Sequence, residues 1–158
     1  MSPSYVLLLA FAIGLIAGLR SLTAPAIVAW AAHRGWLNLH GTSLSFMGST
    51  VAVAIFTILA VVELVTDQLP STPARTQPPG LIARILLGGL SGAAISSAGG
   101  QSAAMGACLG AVGGVVGAFV GYQVRTGLVR ALKVPDVVVA VLEDLVAIAG
   151  ALFFVTRF

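Results

Sequence analysis

Long apolar stretches with few polar interruptions dominate the sequence. Tyr5–Ala32 contains Arg20 as its only charged residue before His33, and Leu44–Asp67 stays apolar until Glu63. A bilayer core about 30 Å thick is crossed by roughly 20 helical residues. Each stretch is therefore predicted to form a membrane helix. The first is longer than one crossing needs, so Pro25 either kinks it or begins a second short helix.

The second half of the chain predicts three further helices. From Ile85 to Val124 there is no charged residue, and one helix of that length would measure about 60 Å, twice the bilayer core. The Gly99–Ser102 segment predicts a turn, giving helices Leu81–Ala98 and Ala103–Tyr122. A fifth helix is predicted over Pro135–Thr156, because proline and an acid suit the first helical turn.

The expected fold is thus all-α, a single polytopic membrane bundle of about five transmembrane helices over residues 1–158, with a proline-rich connector at 68–80. Composition agrees with this fold. Hydrophobic residues make up 58% of the chain and charged residues 8%, whereas soluble domains are near 45–50% and about 25%. The mean hydropathy is +1.06. A lipid bilayer is therefore the expected surrounding.

Several function classes receive no support from the sequence. The net charge of +3 comes without a basic run or an aromatic ladder, so nucleic-acid binding is not expected. Cys108 is the only cysteine, which excludes an internal disulfide and a multi-cysteine metal site. His33 and His40 have no acid at metal-ligand spacing and are read as surface residues. Without a Walker loop, an HExxH motif or a nucleophile elbow, we expect no cofactor, no metal and no enzyme activity.

Location and orientation follow from the basic residues. No positive residue precedes the first apolar run, so we interpret it as a retained membrane helix rather than a signal peptide. Five spans would place most basic residues on one side: Arg75, Arg84, Arg125, Arg130 and Lys133, against Arg34 and Arg157 on the other. The positive-inside rule then predicts a cytoplasmic N-terminus and an external C-terminus. A different crossing by the first segment inverts this assignment.

Glycines recur at spacings of three and four along the fourth predicted helix. These are Gly106, Gly110, Gly113, Gly114, Gly117 and Gly121. Such a face lets helix backbones approach closely in lipid. Packing within the chain is the simpler interpretation, and the seam of a homodimer is the alternative.

Charged residues inside the predicted spans are the best guide to function, because each costs at least about 2.5–3.5 kcal/mol near the bilayer centre. The candidates are Arg20, Glu63, Asp67, Arg125, Glu143 and Asp144, with the neighbouring Ser21 and Tyr122. From their depth in the helices, we predict that Arg125 pairs with Glu63 or Asp67. We predict that Arg20 pairs with Glu143 or Asp144.

A short internal similarity indicates a repeat. Gly18–Ser21 and Gly121–Thr126 each end a glycine-containing helix with an arginine and a hydroxyl residue, and each is followed by a helix with carboxylates. One helix lies between the two units, which would invert the second relative to the first. Inverted repeats, here helices 1–2 against 4–5, are typical of transporters.

The chain also resembles a known family. The segments Gly18–Ser21, Glu63–Pro70 with Pro73–Thr76, and Pro135–Asp136 leading to Glu143–Asp144 are similar to those of bacterial membrane proteins in domain-of-unknown-function family 4126. The resemblance implies a helical architecture and an inner-membrane location. It supplies no substrate.

Two main functional hypotheses follow. The first is a small transporter or channel-like protein that moves an ion or small polar solute past the intramembrane Arg, Asp and Glu residues. The second is a structural or partner-binding membrane protein whose charges are ion pairs that fix helix packing. A third, an intramembrane enzyme using the carboxylates with a divalent metal, requires an open coordination position.

Overall fold

The computed structural model describes residues 1–67 and 76–158. Within these ranges, regular structure consists only of helices, which confirms the predicted all-α fold. The α-helices are α1 (Pro3–Leu19), α2 (Thr23–His33), α3 (Thr50–Thr66), α4 (Pro78–Ala98), α5 (Ala103–Leu132) and α6 (Asp136–Val155). A 3-10 turn over Ser45–Gly48 precedes α3. Most of the predicted proline-rich connector, residues 68–75, lies outside the described residues.

The helices have the length and surface expected of a membrane bundle. α4, α5 and α6 are long and apolar enough to cross a bilayer, and α1 and α3 are apolar helices of 17 residues each. Large apolar side chains point outward, including Val51, Ile58, Leu86, Val112 and Leu145. Small residues such as glycine, alanine and serine fill much of the interior. This pattern suits a protein whose outer solvent is lipid.

The first apolar segment is a helical hairpin rather than one long helix. α1 ends at Leu19, Arg20 adopts an extended backbone (φ −137°, ψ 109°), and α2 begins at Thr23 with Pro25 in its first turn. Proline fits there because the first amides of a helix have no partner within it. The predicted second short helix therefore exists, but the break falls at Arg20.

Both termini lie at the same end of the bundle. α1 runs parallel to α5, since Gly14 lies against Gly110 and Gly18 against Gly117. α6 runs antiparallel to α1, because Gly150 lies near Ile16. The predicted placement of the termini on opposite sides is therefore wrong, for the physical reason that α2 turns back instead of extending α1. The parallel course of α1 and α5 also does not fit the predicted inverted repeat.

The glycine face of α5 packs within the chain against two helices. Gly106, Gly110 and Gly114 meet α4, Gly113 and Gly117 meet α1, and Gly121 is buried as well. A Cβ atom added at Gly114 would lie 2.5 Å from the Arg84 carbonyl oxygen. Side chains larger than hydrogen would force α1, α4 and α5 apart.

α5 is ten residues longer than the predicted helix, which ended at Tyr122, and it continues to Leu132. Arg125 and Arg130, which lie beyond the predicted end of this helix, therefore belong to a continuous helix. Lys133 ends it in the left-handed conformation, with φ 52°. Because α6 starts at Asp136, the turn between the two helices is short and brings their ends together.

Candidate charged site at the helix break

Arg20 lies at the centre of the candidate site, and the break after α1 aims its side chain into the bundle. The residue is fully buried, with 0% of its surface exposed. Its Nε donates to Asp144 on α6, and its Nη1 donates to Asp67 at the end of α3. Its Nη2 lies 3.9 Å from Oε2 of Glu143. One guanidinium thus joins three segments of the chain, and the predicted pairing of Arg20 with Asp144 is present.

Glu63 holds the start of α2. Its carboxylate accepts hydrogen bonds from the backbone amides of Ser21 and Leu22, each at 2.8 Å, and from the Ser21 hydroxyl at 2.5 Å. The first amides of a helix lack partners within the helix, and the helix dipole favours a negative charge there. Glu63 therefore stabilises the break in the way that a capping side chain would, from a different helix.

Arg125 pairs differently from the prediction, which named Glu63 or Asp67. Its Nε donates to Asp136 Oδ1 at 2.9 Å, and its Nη1 lies 3.6 Å from Glu143 Oε2. The reason is the length of α5, which carries Arg125 beside the first turns of α6.

Arg84 belongs to the site and was missed by the sequence analysis, which counted it only among the basic residues on one side of the membrane. It is 5% exposed. Its Nε donates to the Gly18 carbonyl at 3.1 Å and its Nη1 to the Gly80 carbonyl at 3.0 Å. Its Nη2 lies 3.9 Å from Asp67 Oδ2. The sequence did hold a signal, because Arg84 lies inside the predicted apolar helix Leu81–Ala98, where a charge would be within the membrane.

All five acidic residues of the chain gather with these three arginines at one end of the bundle: Glu63, Asp67, Asp136, Glu143 and Asp144. Glu143 and Asp144 are adjacent on α6, so their side chains leave the helix about 100° apart. Asp144 contacts Arg20, whereas Glu143 lies between Arg20 and Arg125. The site therefore combines a directly paired carboxylate with one shared by two arginines.

Two buried polar atoms at the break have no hydrogen-bond partner in the described part of the chain, Nη2 of Arg20 and Oγ1 of Thr23. Thr23 is 3% exposed and lies in the first turn of α2. Buried donors of this kind are rare and call for water, an ion or a solute. The break therefore has free hydrogen-bonding capacity beside the ion pairs.

An apolar groove of about 580 Å³ opens between α1, α5 and α6 and reaches the charged site. Arg125 and Glu143 lie near one end of it, and apolar residues line the remainder. Representative apolar lining residues are Leu15, Leu19, Val120, Val124, Val146 and Phe154.

The other candidate residues lie elsewhere or play lesser parts. Tyr122 is 42% exposed on the outside of α5, so the structure does not bring it into the charged site. His33 and His40 line a second cavity of about 260 Å³ at the far end of α2, where His33 Nδ1 lies 2.9 Å from the Gly48 carbonyl. Over residues 1–67 and 76–158, no group of three His, Cys, Asp or Glu side chains is placed to hold a metal.

Comparison of the sequence with models of protein families gives one match. The family model described as "Domain of unknown function (DUF4126)" matches residues 7–156. The chain is a member of the DUF4126 family. The match includes α2, α1 from residue 7 onward, and every charged residue of the site. No curated protein and no solved structure matches the chain.

Proposed function

We propose that this DUF4126 protein is a small membrane transporter, and that the charged site around Arg20 lies on the route of an ion or small polar solute. The observation that carries the proposal is the fully buried Arg20 guanidinium at a helix break, with Nη2 left without a hydrogen-bond partner in the described chain. Discontinuous helices, whose ends and unwound backbone face polar groups, are common binding elements of transporters.

The energetics of the break support a functional role. An arginine buried in the bilayer is costly, and its cost is offset only by carboxylates, water or a bound solute. Asp67 and Asp144 compensate Nη1 and Nε of Arg20. Nη2 has no acceptor within hydrogen-bond distance among residues 1–67 and 76–158, and the Glu143 carboxylate with which it pairs is 3.9 Å away. A purely structural pair would gain stability from completing that bond.

The structural hypothesis has one specific observation in its favour. Glu63 accepts three hydrogen bonds from the start of α2, which satisfies its carboxylate without any solute. We assign Glu63 the role of fixing the hairpin, and Arg20, Glu143 and Asp144 the role of contacting the solute.

We also propose an orientation with the charged end of the bundle in the cytoplasmic half of a bacterial inner membrane. The basic residues Arg84, Arg125, Arg130 and Lys133 all lie on helices or turns at that end. Arg34 and Arg157 follow α2 and α6 at the other end. The positive-inside rule then places both termini outside.

Proteoliposomes test the function. Vesicles with wild-type protein are subjected to proton, sodium, potassium and chloride gradients, and flux is followed with entrapped indicator dyes. We expect a flux that Glu143→Gln and Asp144→Asn reduce roughly tenfold or more, the scale of one lost charged hydrogen bond. Arg34→Gln, which neutralises an exposed arginine at the far end of α2, is the matched control. Equal flux in wild-type, variant and protein-free vesicles would contradict ion transport.

A further inference from the structure

Two arginines approach the same oxygen atom of Asp67. Nη1 of Arg20 donates to Oδ2 of Asp67, and Nη2 of Arg84 lies 3.9 Å from that same oxygen. Charged hydrogen bonds measure about 2.7–2.9 Å, so a shift of about 1 Å would bring Arg84 into contact. Two guanidinium groups at this range repel each other, so a closer contact with one favours the withdrawal of the other. Asp67 therefore has two possible arginine partners.

Arg84 does not depend on Asp67 for its position. Its Nε donates to the Gly18 carbonyl at 3.1 Å, its Nη1 donates to the Gly80 carbonyl at 3.0 Å, and the residue is 5% exposed. The Gly18 carbonyl is among the last four of α1, which lack partners within the helix. Arg84 is therefore a fixed cation beside Asp67.

Asp67 is the partner that is better able to move. It caps the end of α3, and its side chain is 17% exposed, whereas that of Arg20 is fully buried. α3 packs mainly against α2 and the 3-10 turn, and most of its residues face outward. Segments with few buried contacts shift at a lower cost in free energy than core helices. A small displacement at the end of α3 is thus enough to change the partner of Asp67.

We propose that Arg84 is a positioning residue for Arg20, because it competes for Asp67 and lets this carboxylate pass from Arg20 to Arg84. The exchange leaves no buried charge uncompensated, which would be costly, since Asp67 keeps one arginine and Asp144 stays on Nε of Arg20. Nη2 of Arg20 already has no hydrogen-bond acceptor within the described chain. After the exchange, Nη1 would also be open to water or solute. The inference rests on the proposed function for the purpose of this opening, but the competition itself is independent of transport.

Double-mutant cycles test the competition. The coupling energy between Arg20→Gln and Asp67→Asn is measured by unfolding in mixed micelles, in otherwise wild-type protein and with Arg84→Gln. While Arg84 is present, Asp67 keeps a cation after Arg20 is lost, which reduces the coupling. We expect the coupling energy to be about twofold larger with Arg84→Gln. Arg84→Lys, which retains a positive charge, should restore the wild-type value. Arg125→Gln is the matched control and should leave the coupling energy unchanged, because the carboxylate partners of Arg125 lie on α6.

The reactivity of a cysteine at Thr23 separates positioning from structural support. The variant is made in a Cys108→Ala background and treated with a membrane-impermeant methanethiosulfonate reagent. Loss of a merely structural arginine would loosen the break and speed the reaction. Competition predicts the opposite result for Arg84→Gln, because Asp67 then stays on Arg20. The reaction rate should fall roughly tenfold, the scale of one charged hydrogen bond.

The two measurements decide the inference separately from the proposed function. A coupling energy that is unchanged or smaller with Arg84→Gln would overturn the inference, as would a reaction of Thr23→Cys that is equally fast or faster. The cysteine measurement needs only Arg84→Gln, so it decides the question if Arg20→Gln does not fold. If Thr23→Cys fails to react without any change at Arg84, the hydrated route is contradicted, and the coupling energies still show whether the two arginines compete for Asp67.

Discussion

The guanidinium of Arg20 donates through Nε to the carboxylate of Asp144, which links the break after α1 to the interior of α6. Arg20 is fully buried and Asp144 is 8% exposed. Removing one member of a buried pair leaves the other uncompensated, which costs far more than the pair contributes. Two of the helices that position the site are therefore coupled through one side chain.

Neutralising Arg20 should destabilise the protein strongly. We expect Arg20→Gln to lower the free energy of unfolding by about 3–5 kcal/mol. Asp67 and Asp144 both lose the cation that they bind directly, and only Arg84, 3.9 Å from Asp67, remains nearby. Arg34→Gln, at an exposed arginine, should cost less than about 1 kcal/mol. Unfolding in mixed micelles with a denaturing detergent, followed by circular dichroism, measures both. In a double-mutant cycle with Asp144→Asn, a coupling energy near zero would contradict the pairing.

Glu63→Gln should loosen the α1–α2 hairpin. The amide group of glutamine replaces one carboxylate oxygen with a donor, so it faces backbone amides that also donate. We expect a loss of about 1–3 kcal/mol in the free energy of unfolding. Ser21→Ala removes the hydroxyl but keeps the backbone N–H that donates to Glu63. Its loss in the free energy of unfolding should therefore be smaller. If the two variants lose the same free energy of unfolding, the hydrogen bonds from the backbone amides to Glu63 do not stabilise the hairpin.

Two glycines of α5 offer a matched test of helix packing. A Cβ at Gly110 would overlap the backbone of α4, whereas a Cβ at Gly127 would meet no atom of another helix within 4 Å in the described part of the chain. Gly110→Ala should destabilise by about 1–3 kcal/mol through overpacking. Gly127→Ala should stabilise by up to about 1 kcal/mol, the helix-propensity gain of alanine over glycine. Thermal unfolding in detergent measures both, and a stabilising Gly110→Ala would refute the close approach of α4 and α5.

Much of this fold could be predicted from local patterns. The turn at Gly99–Ser102 and the start of α6 follow directly from glycine and proline chemistry. The break at Arg20 could not be placed, because it depends on Glu63 and Asp144 from other helices rather than on local propensity. The same limit explains the wrong placement of the termini, since Pro25 alone does not show whether α2 bends or turns back.

The charged site was predicted in its composition but only partly in its pairing. The depth of the residues along their helices was enough to predict the pairing of Arg20 with Asp144. It did not predict the partner of Arg125, because the length of α5 brings Arg125 within reach of Asp136. The apolar groove is formed by side chains of three helices that are distant in sequence, so no single stretch indicates it.

A substitution at Thr23 distinguishes a dry break from a hydrated one, because the two predict opposite changes in the free energy of unfolding. Its buried hydroxyl has no hydrogen-bond partner among the described residues, so in a dry core Thr23→Val should raise the free energy of unfolding. The transport account places water or solute against this hydroxyl, and it predicts a loss of about 1 kcal/mol instead. Thr156→Val, at an exposed position, should change stability by less than about 0.5 kcal/mol. Unfolding in lipid nanodiscs measures the difference.

The most direct measurement of the central claim is the reactivity of a cysteine at Thr23 toward a membrane-impermeant methanethiosulfonate reagent. Cys108 is the only native cysteine, so the variants are made in a Cys108→Ala background. Two further variants give the limits of the reaction rate. Asn38→Cys lies in an exposed loop and should react fast, and Ser91→Cys lies in the core at 0% exposure and should react slowly. If solute and water reach the break, Thr23→Cys should react at least about tenfold faster than Ser91→Cys, since only a hydrated thiol ionises. A rate equal to that of Ser91→Cys, with Asn38→Cys fully reactive, would contradict the proposed route.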